Sequence, residues 1–240
     1  MGQLDRQVAL VTGGGSGIGR AIATALAAEG AAVSICGRRR EPLEAARAFI
    51  EANGGTGIAI PTDVSLDSQV QRLVEATTDS LGPIDILVNN AAIGGGGAIH
   101  EHAVEVWDRV LDVNLRGPFL LARAVLPGMR ERKRGHLLNI SSESGLEYYA
   151  GVGAYGVGKH ALNALSEYIQ RENQDFGIRV DTICPGMVVT EMTEGSAGLD
   201  HAKCLYPEDI ADLVLWLVTR RPNIKIGRPI LIQTMLNPWE

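Results

Sequence analysis

The stretch VALVTGGGSGIGR, Val8–Arg20, decides the fold. An apolar run rich in β-branched residues stops at a cluster of glycines, and the next residues, GRAIATALAAEG, repeat apolar positions every three or four. That order is strand, tight turn, helix. Gly13, Gly17 and Gly19 are spaced G-x-x-x-G-x-G, with Gly15, Ser16 and Ile18 in the same turn. Glycines there let backbone amides approach a pyrophosphate, and the helix start adds partial positive charge. The spacing is neither G-x-G-x-x-G nor a Walker A pattern with its lysine, which argues against nucleoside triphosphate hydrolysis.

Six more β-rich runs follow at intervals filled by helical periodicity. With the first (8–13) they are 32–37, 57–63, 86–91, 135–142, 179–186 and 229–234. Strands alternating with helices predict an α/β chain: a seven-stranded, doubly wound, Rossmann-type parallel sheet with helices on both faces, in one domain spanning 1–240. Gly30, Gly54 with Gly55, Gly82 with Pro83, and Gly177 supply the expected helix stops. One segment, 187–206, has weak periodicity. It follows the sixth strand, where open α/β sheets bind ligands, and is expected to form a substrate loop or lid.

Composition narrows the classes. The 240 residues are 45% hydrophobic and 21% charged with a net charge of −6, which leaves no basic footprint for nucleic acid or an acidic membrane surface. Cys36, Cys184 and Cys204 have no C-x-x-C spacing, so neither a disulfide framework nor a zinc site is indicated. His100 and His102 flank Glu101 without a third ligand, so no metal is expected. The N-terminal residues lack a signal-peptide h-region, and the longest apolar stretch, around DLVLWLV, is too short for a bilayer. A cytoplasmic, reduced setting is expected.

The chemistry-bearing residues lie in the second half. Tyr155 and Lys159 stand four apart at the start of a helical segment and therefore share a face. An ordinary phenol has a pKa near 10, and a neighbouring cation favours its use as an acid or base nearer neutrality. Ser142 ends the fifth strand and Asn114 lies in the long helical segment before it, so both can project toward the same carboxyl edge. A hydroxyl, a phenol and an ammonium beside a dinucleotide are what carbonyl reduction requires.

These ordered motifs, TGGGSGIG at 12–19, DV at 63–64, NNA at 89–91, Asn114, Ser142, YGVGK at 155–159 and PGMVVT at 185–190, resemble the short-chain dehydrogenase/reductase family over nearly the whole chain. The resemblance implies that Tyr155 is the general acid or base, that Lys159 lowers its pKa and holds the nicotinamide ribose, and that Ser142 orients the carbonyl. Asn114 would hold a water that links Lys159 to solvent. Asp63 and Val64 would border the adenine. Asn90, Ala91 and Ala92 would line the cofactor, and Pro185, Gly186, Val188 and Thr190 would meet the nicotinamide end. Two features depart from the family pattern: Ala92 replaces a usual glycine, and the C-terminal end lacks the common Asp-Gly-Gly.

Cofactor choice is written in SICGRRRE, Ser34–Glu41. Gly37 occupies the place where NAD enzymes of this architecture carry an acidic residue, and Arg38 follows at once. The pattern favours NADP over NAD, with Arg38 on the 2′-phosphate, Arg39 as a second contact or a plane against the adenine, and Arg40 solvated. Ser144, Tyr149, Met187 and Met192, with Ile93, Leu146 and Val152, suggest a moderately apolar pocket for a ketone or aldehyde of low polarity. The alternatives are a 3-oxoacyl-thioester reductase, an NAD-dependent alcohol dehydrogenase and a non-catalytic dinucleotide-binding regulator. The resemblance further implies a homotetramer or homodimer built through helices 104–130 and 155–176.

Overall fold

The computed structural model describes residues 2–227 and 229–240; Met1 and Arg228, both inside the expected domain range, lie outside them. Seven strands are present among the described residues: β1 Val8–Thr12, β2 Ala32–Gly37, β3 Thr56–Pro61, β4 Ile86–Asn89, β5 Gly135–Ile140, β6 Ile178–Pro185 and β7 Ile230–Ile232. All pair in parallel, in the order β3-β2-β1-β4-β5-β6-β7. Among the described residues the seven α-helices are α1 Gly17–Ala28, α2 Arg40–Ala52, α3 Asp67–Leu81, α4 Val104–Leu111, α5 Gly117–Arg132, α6 Gly153–Asn173 and α7 Pro207–Val218.

Alternation along the strands splits the core into two layers. Ala9 and Val11 of β1 point to the side covered by Ile22 and Leu26 of α1, Leu43 and Ile50 of α2, and Ile210, Val214 and Leu217 of α7. Val8 and Leu10 point to the other side, against Val70 and Leu73 of α3, Leu121, Val125 and Met129 of α5, and Ile169 of α6. Each valine, leucine, isoleucine or methionine among them contributes about 1.5–3 kcal/mol by leaving water, and a sheet buried on both faces reads as the near-continuous apolar runs seen in the sequence.

The departures from expectation fall at the carboxyl edge. Gly13, Thr62, Asp63, Asn90, Ala91, Ser141, Ser142 and Gly186, expected as strand ends, leave the ladder and turn out into loops, where all of them line cavities. β7 keeps only three residues of the expected six. The long helical segment is not continuous: a π-helical turn at Asp112–Arg116 separates α4 from α5. A π turn widens one step of the helix, and here it carries Asn114.

Candidate active site

The strand order reverses between β1 and β4, and the crevice opens at that switch point. Thr12 fixes its base. Its hydroxyl accepts from the amides of Asn90 and Ala91, each at 2.9 Å, and donates to the Val88 carbonyl at 3.3 Å. The Asn90 side chain returns a bond to the Thr12 carbonyl at 2.9 Å. Gly13 (φ +67°) and Gly17 (φ +47°) adopt left-handed backbone, and a Cβ on Gly13 would stand 2.7 Å from Asn90 Nδ2. A Cβ on Gly19 would stand 2.2 Å from the Gly13 carbonyl, so Gly19 lets α1 pack against its own turn and does not face the cleft.

The cleft measures about 720 Å³. Gly13, Gly15, Ser16, Gly17, Ile18, Arg38, Arg39, Asp63, Val64, Asn90, Ala91 and Ala92 line one end, and Ser142, Ser144, Tyr155, Lys159, Pro185, Gly186, Met187, Val188, Thr190 and Met192 the other. A cradle of bare glycines at a helix start suits a pyrophosphate. The expected residues thus fit a dinucleotide and converge, with four exceptions: Gly19, Asn114, Leu146 and Tyr149 do not line this cleft.

Asn114 is buried behind the wall, where both ends of its amide are engaged by Ile93: Oδ1 accepts from the Ile93 amide and Nδ2 donates to the Ile93 carbonyl, each at 2.9 Å. Its side chain is a clamp on the loop after β4. Tyr149 is exposed and opens onto a second cavity of about 410 Å³, which it shares with Glu143, Gly186, Met187, Gln233 and Trp239. It lies beyond the turn Glu143–Gly145, on this second cavity rather than on the main cleft.

At the reacting end, Lys159 is buried, and its ammonium donates to the Ile140 carbonyl at 2.7 Å while lying 5.5 Å from the centre of the Tyr155 ring. Burial pulls its pKa down to about 8. Burial also raises the Tyr155 phenol above its ordinary value, with a hydrogen bond from Ser142 opposing the rise and the charge of Glu143 adding to it. The direction is opposite to the lowering expected from Lys159. Ser142 Oγ in turn accepts from the Ser144 amide at 3.1 Å, which fixes the hydroxyl at the turn.

At the other end, Arg38 is exposed and in no ion pair among the described residues. Arg39 Nη2 meets Glu191 Oε2 at 2.7 Å across the cleft, and Arg40, as expected, stays on the surface, 3.9 Å from Glu44. Asp63 is committed to protein partners. Partial burial opposes its charge, but Ser65 (Oγ 2.6 Å, amide 3.0 Å) and Arg109 (2.7 Å) outweigh this and hold the carboxyl below its ordinary pKa. Among the non-candidates, Cys184 is buried with its thiol pushed up by burial, and His102 packs edge-on against Trp107.

Sequence reasoning missed Thr12, Arg109, Glu143 and Glu191. Thr12 and Glu143 were legible as neighbours of Gly13 and Ser142; Arg109 and Glu191 meet partners 46 and 152 residues away, which no local pattern signals. Glu143 matters most, because it places a fixed negative charge in a pocket expected to be apolar.

The short chain dehydrogenase family model matches residues 7–198. An uncharacterized oxidoreductase of Staphylococcus aureus is 36% identical over 224 residues, covering 93% of this chain and 96% of that protein. Among solved structures, a metagenomic short-chain oxidoreductase in complex with NADP is 36% identical with a TM-score of 0.85, covering 98% of this chain and 100% of that one. Levodione reductase is 31% identical with a TM-score of 0.89, covering 96% and 97%.

Proposed function

Because the chain belongs to the short-chain dehydrogenase family, and so is an NAD(P)-dependent oxidoreductase, we propose that it reduces a ketone or aldehyde to the alcohol with NADPH, Tyr155 serving as the general acid. The observation that carries this reading is the convergence of Ser142, Tyr155 and Lys159 in the cleft whose other end is the glycine cradle. The bound dinucleotide supplies or accepts the hydride. The protein does the rest: Gly13, Gly15, Ser16, Gly17 and Ile18 hold the pyrophosphate, and Asn90, Ala91, Ala92, Pro185, Gly186, Val188 and Thr190 seat the nicotinamide half. Lys159, anchored on Ile140, holds the ribose and places positive charge below the phenol.

Ser142 donates to the carbonyl oxygen and so fixes the substrate against Tyr155. The Tyr155 phenol keeps its proton at neutral pH and donates it to the alkoxide as it forms. Asn114 acts through Ile93 by holding the loop that carries Gly94 and Gly95 into the cleft. The unpaired Arg38 supports NADP over NAD, since a guanidinium forks onto a phosphate. Asp63 and Val64 border the adenine, Asp63 through a side chain already held by Arg109.

A 3-oxoacyl-thioester reductase would need a basic surface for an acidic carrier, whereas Glu143 and Glu191 line this cleft. A non-catalytic regulator has no use for the three groups at the reacting end. We further infer a cytoplasmic homodimer or homotetramer, supported by free cysteines and by Phe119, Val157 and Tyr168, large apolar side chains left exposed on α5 and α6. No helix among the described residues is long and apolar enough to cross a membrane.

Steady-state kinetics with NADPH and NADH over a panel of ketones and aldehydes tests the reading. Turnover with a lower Michaelis constant for NADPH is expected; no turnover on any carbonyl, or preference for NADH, overturns it.

A further inference from the structure

Glu143 is the one residue of the substrate end that neither the fold nor the reaction explains. It follows Ser142 directly, in the short helical turn Glu143–Gly145, and lines both the main cleft and the second cavity. Its Oε2 accepts one hydrogen bond, from the neutral Gln233 amide at 2.7 Å, and no lysine, arginine or histidine pairs with it among the described residues. A carboxylate offers about four acceptor sites, so most of its capacity faces the cavities. Gly186 leaves it open on the cleft side: a Cβ there would stand 3.2 Å from Oε2.

The surroundings of Glu143 reinforce its charge. Beyond burial, Glu143 and Glu147 both raise the Tyr149 phenol, and Glu143 contributes to the rise at Tyr155. The second cavity adds two aromatic side chains, Tyr149 and Trp239, to the same carboxylate. An uncompensated carboxylate beside aromatic faces is a cation site: the ring quadrupole and the negative charge both attract an ammonium, and neither attracts a carboxylate or phosphate.

Resting on the reading of this cleft as the carbonyl-reducing site, we propose that its substrate carries a cationic nitrogen, an amine or quaternary ammonium a few bonds from the reacting carbonyl. Glu143 holds that nitrogen while Ser142 and Tyr155 hold the carbonyl, so the charge sets which end of the substrate enters the second cavity. Gln233 keeps the carboxylate turned toward the cavities and ties the segment after β7 to the site. The class of reaction that supplies such a substrate is one that oxidises an amino alcohol or forms an amino ketone.

The test uses a pair of equal shape and different charge, trimethylammonioacetone and neopentyl methyl ketone, with NADPH as reductant. The wild-type kcat/KM is expected to favour the cation by about tenfold at low salt, mostly through KM, which is the size of a partly desolvated cation–π and ion contact. In Glu143→Gln, which keeps the acceptor for Gln233, the ratio should fall to within about twofold. Equal use of both ketones by the wild type, or an unchanged ratio in the variant, overturns the proposal and leaves the reductase reading standing. If neither ketone turns over, calorimetric titration of the cation into wild type and Glu143→Gln decides this inference alone: tighter binding to the wild type supports it, and equal binding overturns it.

Discussion

The two ends of the same strands use polar groups in opposite ways. At the amino end, Asp85 accepts from the Val8 amide at 3.1 Å and lies 3.5 Å from Arg134. Nearby, His136 Nδ1 accepts from Arg179 at 3.0 Å, which leaves Nε2–H to donate to Asp181 at 2.7 Å. That assignment makes His136 neutral, and burial, with Arg179 adding to it, holds its pKa below the ordinary value. At the carboxyl end, Arg38, Ser142, Glu143 and Tyr155 keep donors, acceptors or charge turned toward a cavity. Polar groups at one end are spent on each other, and at the other they are held for something that enters. Damage at the amino end should therefore appear as lost stability, and damage at the carboxyl end as lost activity with the fold intact.

The largest stability effect is expected at the amino end. His136→Leu leaves Asp181 buried without its donor and should cost about 2–3 kcal/mol in chemical denaturation. The Michaelis constant for NADPH should stay within about twofold, because the substitution lies at the far end of the sheet. The pH dependence has a definite sign. A histidine whose folded pKa is lowered contributes stability that is complete above its unfolded value of 6.5 and is lost as pH falls from there toward the folded value; His136→Leu should lack this loss. A large KM change in that variant would break the separation of the two ends.

A smaller effect is expected within the arginine run. Arg38→Asp should raise the NADPH Michaelis constant about tenfold and leave that for NADH nearly unchanged, the size of one charge-assisted phosphate contact. Arg40→Ala, which loses only an exposed contact to Glu44, should change either constant by less than about twofold. Equal effects of Arg38→Asp on both cofactors would make Arg38 ordinary surface, like Arg40.

Much of this architecture was legible because its signals are local. Periodicity and glycine stops located all seven strands, and Gly30 and Gly177 do take positive φ at helix ends. The strand ends were read too long because Asn90, Ser142 and Gly186 keep a strand-like sequence after turning out of the ladder. Asn114 was placed in the right neighbourhood, yet the π turn and the grip on Ile93 depend on a partner in another loop. Asp63 likewise owes its charge state to Arg109, whose position on α4 only the folded helix brings near. Glu143 sat in plain view between Ser142 and Ser144, but one carboxylate in a polar run has no meaning until a cavity is seen beside it.

The most direct test of the central claim is Tyr155→Phe, which removes one hydroxyl from the cleft and nothing from the sheet. NADPH reduction of a turned-over carbonyl should fall by about 10²–10⁴-fold, the range of a lost general acid, with NADPH affinity and thermal midpoint held near wild type. Reduction at the wild-type rate would contradict the assignment of Tyr155, and with it the account of the cleft.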